Sequence, residues 1–189
     1  MSASRNQFDD IAENMLIQLL ELVRVRNSGH LPNFTSAEKI ALRLSWNAFL
    51  AGDASKRGFD MFTRMFKQHP ETQSIFKFAH GSSAAQMQNS SRLIFHVTRV
   101  VKYIGKVIEN LDQLEEVVPM LKQLGGRHGT GGYNVPAKFF PYLGEAMRSL
   151  MKENVSNYSE KTNRLWVKLF DGFLIEQITI GQAEYGNRS

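Results

Sequence analysis

The chain has 189 residues, of which 42% are hydrophobic and thirteen are Phe, so it is long and apolar enough to bury a core. It carries a net charge of +5 and no cysteine, which excludes a disulfide framework, a cysteine zinc site, a thiol nucleophile and covalent attachment of a group through thioethers. The Lys and Arg residues are dispersed without a run of five, no zinc-finger or RNA-binding signature accompanies them, and no apolar run reaches the ~20 residues of a membrane span.

Residues 7–26 read as an amphipathic helix with Ile11, Met15, Leu19, Leu22 and Val23 at helical spacing. Residues 27–33 read as a linker, so residues 1–33 form an N-terminal extension. Residues 34–184 form the main domain, and 185–189 a tail. Thr35 with Glu38 is a capping box for a helix running through Trp46 to about Leu50. Asp53 after Gly52 caps the next helix, on which Phe59, Phe62 and Phe66 share a face and which Pro70 ends near His69. A turn-rich stretch from Glu71 to Ser83 holds Phe76 and Phe78.

A long helix is expected from about Ser83 to Asn110, with Leu93, Val97, Val100, Ile104 and Ile108 as its stripe and His96 at the edge. A shorter helix covers roughly Gln113 to Arg127 and leads into the glycine-rich loop Gly129-Thr130-Gly131-Gly132, which is expected to be irregular and mobile. Pro136 can begin a helix carrying Phe139, Leu143, Met147 and Leu150. Asn157 with Glu160 resembles the cap of a last helix carrying Trp166, Leu169, Phe170 and Phe173. No segment alternates with period two, so the fold class is all-α, with seven or eight helices.

The glycine-rich segments follow no strand and lack a Gly-Lys-Ser/Thr sequence, which argues against a phosphate loop. Adjacent Glu115 and Glu116 point in different directions and suit a solvated face. Among the five histidines, His30, His69 and His80 need no special role. His96 alone reads as a half-buried structural histidine, and His128 alone as a helix C-cap. Together they lie on different helices, 32 residues apart. Two facing imidazoles can sandwich a flat iron cofactor, and Phe62, Phe76, Val100, Leu124 and Tyr133 can line the apolar slot that haem requires.

The segment from about residue 35 to 183 resembles the globins, and neuroglobins most closely. Trp46 in Leu44-Ser45-Trp46 is similar to the Trp of the first globin helix. His69-Pro70-Glu71 with Ile75-Phe76-Lys77-Phe78 resembles the proline turn and the haem-packing Phe. His96 through Val101 resembles the distal histidine segment. Leu121 through His128 resembles the proximal segment, and Trp166 lies where the last neuroglobin helix carries Trp. The resemblance implies the three-on-three helical sandwich of the globin fold, here with an extra N-terminal helix. It implies haem b, with His128 and His96 as iron ligands and Phe62, Phe76, Phe78, Arg99, Val100, Leu124 and Tyr133 around it. Arg99 is the residue expected to reach a propionate.

The implied function is a bis-histidyl haem protein acting in electron transfer, or in binding, carrying or sensing oxygen or another diatomic gas. A redox partner protein and a cytoplasmic location go with that reading, without nucleic acid; a homodimer is among the assemblies left open. The other class is a haem enzyme, a nitric-oxide dioxygenase, nitrite reductase or weak peroxidase, fed by an external electron donor. The chain departs from neuroglobins in its glycine-rich loop after His128, in a shorter stretch between Phe78 and His96, and in lacking a cysteine pair.

Overall fold

The computed structural model describes residue 15 and residues 31–76 and 81–187. The expected helix over 7–26, the histidines His30 and His80, and Phe78 lie outside the described residues, apart from Met15. The chain divides into two units, Met1–Leu31 and Pro32–Ser189, and the second carries the elements considered below.

Helices account for nearly all regular structure, with no strand among the described residues, as the apolar periodicities require. Helix α1 spans Ser36–Leu50 and begins with the expected capping box: Glu38 N–H donates to Thr35 Oγ1 at 3.3 Å, and Thr35 N–H to Glu38 Oε2 at 2.9 Å. Helix α2 spans Ala54–Gln68, and the Asp53 carboxylate accepts from the amides of Ser55 and Lys56 at 2.9 and 3.0 Å. Pro70 ends it, and a 3₁₀ turn covers Pro70–Ile75.

The long helix expected from Ser83 is two helices. Helix α3, Ala84–Gln88, is capped by Ser83, and helix α4, Ser91–Glu109, starts where the Ser90 hydroxyl accepts from the Leu93 amide at 3.3 Å. Asn89 and Ser90 break the run because short polar side chains offer the backbone a competing hydrogen bond. Helix α5, Val118–His128, is likewise preceded by a 3₁₀ turn at Leu114–Val117, with Pro119 in its first turn, where a missing N–H costs nothing. Helix α6 runs Phe140–Asn154 after a short turn at Ala137–Phe139.

Ser159, and not Asn157, caps helix α7, Glu160–Trp166, its hydroxyl accepting from Thr162 N–H at 3.1 Å. Asn157 sits at φ 63°, the left-handed conformation that Asn tolerates better than most residues, and makes the turn before the cap. After α7 the backbone widens into a π-helical stretch, Val167–Ile175, before helix α8, Glu176–Tyr185. Helix α6 meets that stretch at Gly144, where a Cβ would press on the Phe170 ring.

Helix α2 packs on α4 and α6, α1 on α4 and α7, and α5 on α8. The α5–α8 crossing is a backbone-to-backbone approach. A Cβ on Gly125 would overlap the Ile178 carbonyl, and one on Gly181 the Lys122 carbonyl. Lys122 is buried in that crossing, and its ammonium reaches Glu184 at 3.1 Å. The two tryptophans that the sequence placed in different helices meet at 5.8 Å in the core, where Trp166 Nε1–H donates to the buried Ser45 hydroxyl at 2.9 Å. No helix among the described residues is long and apolar enough to cross a membrane.

Candidate functional site

His128 is the last residue of α5, half-buried, with its ring fixed by its own helix. Nδ1 lies 2.8 Å from the Leu124 carbonyl oxygen. A carbonyl only accepts, so Nδ1 carries the proton and donates it. Nε2 is then the unprotonated nitrogen with its lone pair outward. The i to i+4 spacing of Leu124 and His128 makes this contact a property of the helix itself.

The backbone behind His128 is tied down as well. Gln182 on α8 donates its side-chain amide to the His128 carbonyl at 2.9 Å and to the Val135 carbonyl at 2.6 Å. The glycine-rich loop after His128, expected to be mobile, is held at several points. Gly131 N–H donates to the Gly186 carbonyl at 2.7 Å, Thr130 Oγ1 to Asn187 Oδ1 at 2.6 Å, and Val135 N–H to the His128 carbonyl at 2.9 Å. Small residues there let the loop lie against the end of α8, where a Cβ on Gly129 would overlap Gly186. Tyr133 and Phe140 set their rings against His128 at 5.5 and 5.6 Å, both near edge-to-face.

His96 lies on α4, half-buried, inside an aromatic cluster. Its ring meets Phe62 at 5.3 Å and Phe76 at 5.5 Å, both edge-to-face, and those two phenyl rings meet each other at 5.6 Å. Phe66 closes the cluster at 5.4 Å from Phe76, and Val97 and Leu93 pack beneath it. Phe76 and Val100 are half-buried against the same core. Burial pushes the His96 imidazole down to about 4, and the neighbouring charges of His128 and Arg99 push in the same direction. Burial lowers His128 too, opposed by its hydrogen bond to Leu124 and assisted by Arg127. Both rings are therefore neutral at pH 7, the form in which imidazole binds a metal.

Of the residues expected at the site, Phe62, Phe76, Val100 and His96 gather in one cluster, and Leu124 and Tyr133 lie against His128 in another. Tyr133 touches His128 but is 68% exposed, so it covers the edge of the site instead of lining its interior. Arg99 is exposed, with its guanidinium over the Phe95 ring at 5.5 Å. His69 stands elsewhere, stacked on Tyr142 at 3.7 Å with Nε2 3.3 Å from Glu145, where it clamps the end of α2 to α6. Phe140 and Gln182 escaped the sequence reading. Phe140 directly follows Phe139 at the start of a helix, so its role was open to inference, whereas nothing in the sequence marks Gln182.

The protein-family model described as Globin matches residues 59–176. A globin from Glycera dibranchiata, the major polymeric component P1, is 32% identical over 124 residues, which is 65% of this chain and 82% of that one. Neuroglobin-1 of Oncorhynchus mykiss is 25% identical over 154 residues, 80% of this chain and 94% of that one. The solved structure of a hexacoordinated haem protein from an anhydrobiotic tardigrade superposes with a TM-score of 0.71 at 19% identity, covering 80% of this chain and 96% of that one.

Proposed function

Since this chain belongs to the globin family, we propose that His128 and His96 would hold one haem b through its iron, and that the protein serves one-electron transfer or the sensing of a diatomic gas. The observation that carries the reading is the state of the two imidazoles. The Leu124 carbonyl fixes the His128 tautomer so that Nε2 is offered as a ligand, and an aromatic cage holds His96 in its neutral form. A hydrogen-bond acceptor behind the ligand histidine is the usual means of orienting it and raising its basicity.

The donor set fits haem better than a bare ion. No group of three or more His, Cys, Asp or Glu suited to a metal occurs among the described residues. Two imidazoles suit a metal that arrives with its four equatorial nitrogens already in place. The absence of cysteine excludes thioether attachment through Cys and suits a haem held by its ligands and the apolar cage. Haem supplies, when bound, an iron that changes oxidation state by one electron and accepts diatomic gases. The chain's residues do the rest: Phe62, Phe66 and Phe76 exclude water, Gln182 and Leu124 hold His128, and the cage orients His96. With both imidazoles engaged, a gas must first displace His96, which favours electron transfer or sensing over bulk oxygen carriage.

Titrating haemin into the haem-free full chain tests this reading. The visible band should saturate at one haem per chain, and fluorescence of buried Trp46 and Trp166 should be quenched in parallel. Non-saturating uptake with no quenching would contradict it. Phe76→Ala should destabilise the protein by about 3 kcal/mol, the lower end for Phe→Ala because the ring is half-buried. For a chain of this size that lowers Tm by roughly 6–12 °C. The same change should speed haem transfer to an acceptor globin. Unchanged melting and unchanged haem release would place Phe76 outside the pocket.

A further inference from the structure

We propose that one face of α4, formed by Arg92, Phe95, Arg99, Lys102 and Lys106, is the docking surface for an acidic one-electron carrier protein. The proposal rests on the haem reading above. These five residues recur at helical spacing, so they project from one side of the helix. All five are exposed, and Phe95, in the middle of the cations, is 64% exposed.

The helix offers almost nothing to neutralise that charge itself. Its single carboxylate is Glu109, at its last residue, and it is taken by Lys106 at 3.3 Å. Arg92 and Lys102 form no ion pair among the described residues, and Arg99 is held over the Phe95 ring. An exposed aromatic ring covered by an arginine and flanked by cations, two of them without an ion pair among the described residues, has the make-up of a protein interface, where aromatic and Arg anchors sit inside a charged rim. The complementary surface must be acidic.

Two further facts set the class of partner. Phe95 immediately precedes His96, so a carrier seated on Phe95 stands beside the site where its electron is used. The step is a single transfer: the reduced carrier loses one electron, ferric iron gains it, and no bond or proton changes hands. An anionic membrane is the less suitable occupant, because only Phe95 and the neighbouring Ile94, 40% exposed, protrude from this part of α4, and membrane-surface helices bury a broad apolar face.

The test uses the full chain loaded with haem, and reduced plant-type ferredoxin as the acidic one-electron carrier. The neutral radical of photoreduced deazaflavin serves as the uncharged reductant. Reduction by ferredoxin should slow steeply as salt rises, and reduction by the radical should not. The double variant R92E/K102E should lose at least about tenfold in the ferredoxin rate at low salt, within the 10–10³ range of electrostatic steering. Its spectrum and its rate with the radical should be unchanged. Phe95→Ala should weaken the complex at all salt concentrations.

Calorimetry with oxidised ferredoxin reads the complex without any redox step, in haem-loaded and haem-free chains alike. A chain that takes up no haem but binds ferredoxin through this face defeats the haem reading and leaves the docking surface standing. Haem uptake with ferredoxin affinity equal in wild type and R92E/K102E overturns the docking surface alone. Salt-sensitive binding to phosphatidylserine vesicles that R92E/K102E abolishes, with ferredoxin affinity unaffected, also overturns it and assigns the face to lipid.

Discussion

His128→Ala is expected to strip the protein of its haem. The ligand imidazole whose tautomer is fixed by its own helix disappears, and among the described residues only His69 remains outside the pair. His69 is engaged with Tyr142 and Glu145. Groups that merely orient a metal ligand cost roughly 10–100-fold in affinity when removed. Deleting the ligand itself should therefore lower haem affinity by more than about 100-fold. The measurement is haem transfer from the variant to an excess of acceptor globin. Imidazole added to the solution should restore part of the visible spectrum by filling the space the side chain left. A variant that keeps its haem with an unaltered spectrum would move the proximal ligand to another residue.

His96→Leu should leave haem bound and open the other face. Leucine fits between Phe62 and Phe76 without a polar atom, so the cage around it should survive. The ferrous spectrum should change from six-coordinate to five-coordinate. Carbon monoxide should then bind roughly 10- to 1000-fold more readily, because a site that is open only 0.1–10% of the time binds in proportion to that fraction. If His96 instead stands off the metal and only hydrogen-bonds a bound gas, the ferrous spectrum will barely change and bound oxygen will leave faster.

Much of the fold was legible because local chemistry dictated it. Thr35 with Glu38 and Asp53 after Gly52 name their own helix starts, and the apolar stripe of α4 gives both its helix and its buried side. Phe62 and Phe76 were legible as aromatic neighbours on the His96 side, whereas Leu124 was read as slot lining and instead meets His128 through its carbonyl. The rest depends on contacts between distant segments. Asn89-Ser90 splits the expected long helix because side-chain hydrogen bonds win over helix continuity at that point. Ser159 displaces Asn157 as a cap because Asn157 is needed for a left-handed turn. The π-helical stretch at Val167–Ile175 and the Gly125–Gly181 crossing arise from how closely α5, α6 and α8 approach one another, which no local pattern encodes. For the same reason the loop after His128 looked free in the sequence, although Gly186 and Gln182 hold it from the far end of the chain.

Tyr133 and Arg99 show the limit for site residues. Their positions near the two histidines were readable, but not how their side chains end, since Tyr133 rests its ring on His128 while staying largely exposed and Arg99 lies on Phe95.

The absorption spectrum and electron paramagnetic resonance of the untreated full chain, recorded ferric and then ferrous with no ligand added, test the paired histidines most directly. Six-coordinate low-spin iron in both oxidation states, without a high-spin ferric signal, is the result expected from His128 and His96 acting together. A high-spin ferric signal with a five-coordinate ferrous spectrum would show that His96 does not reach the metal, and would contradict the paired ligation.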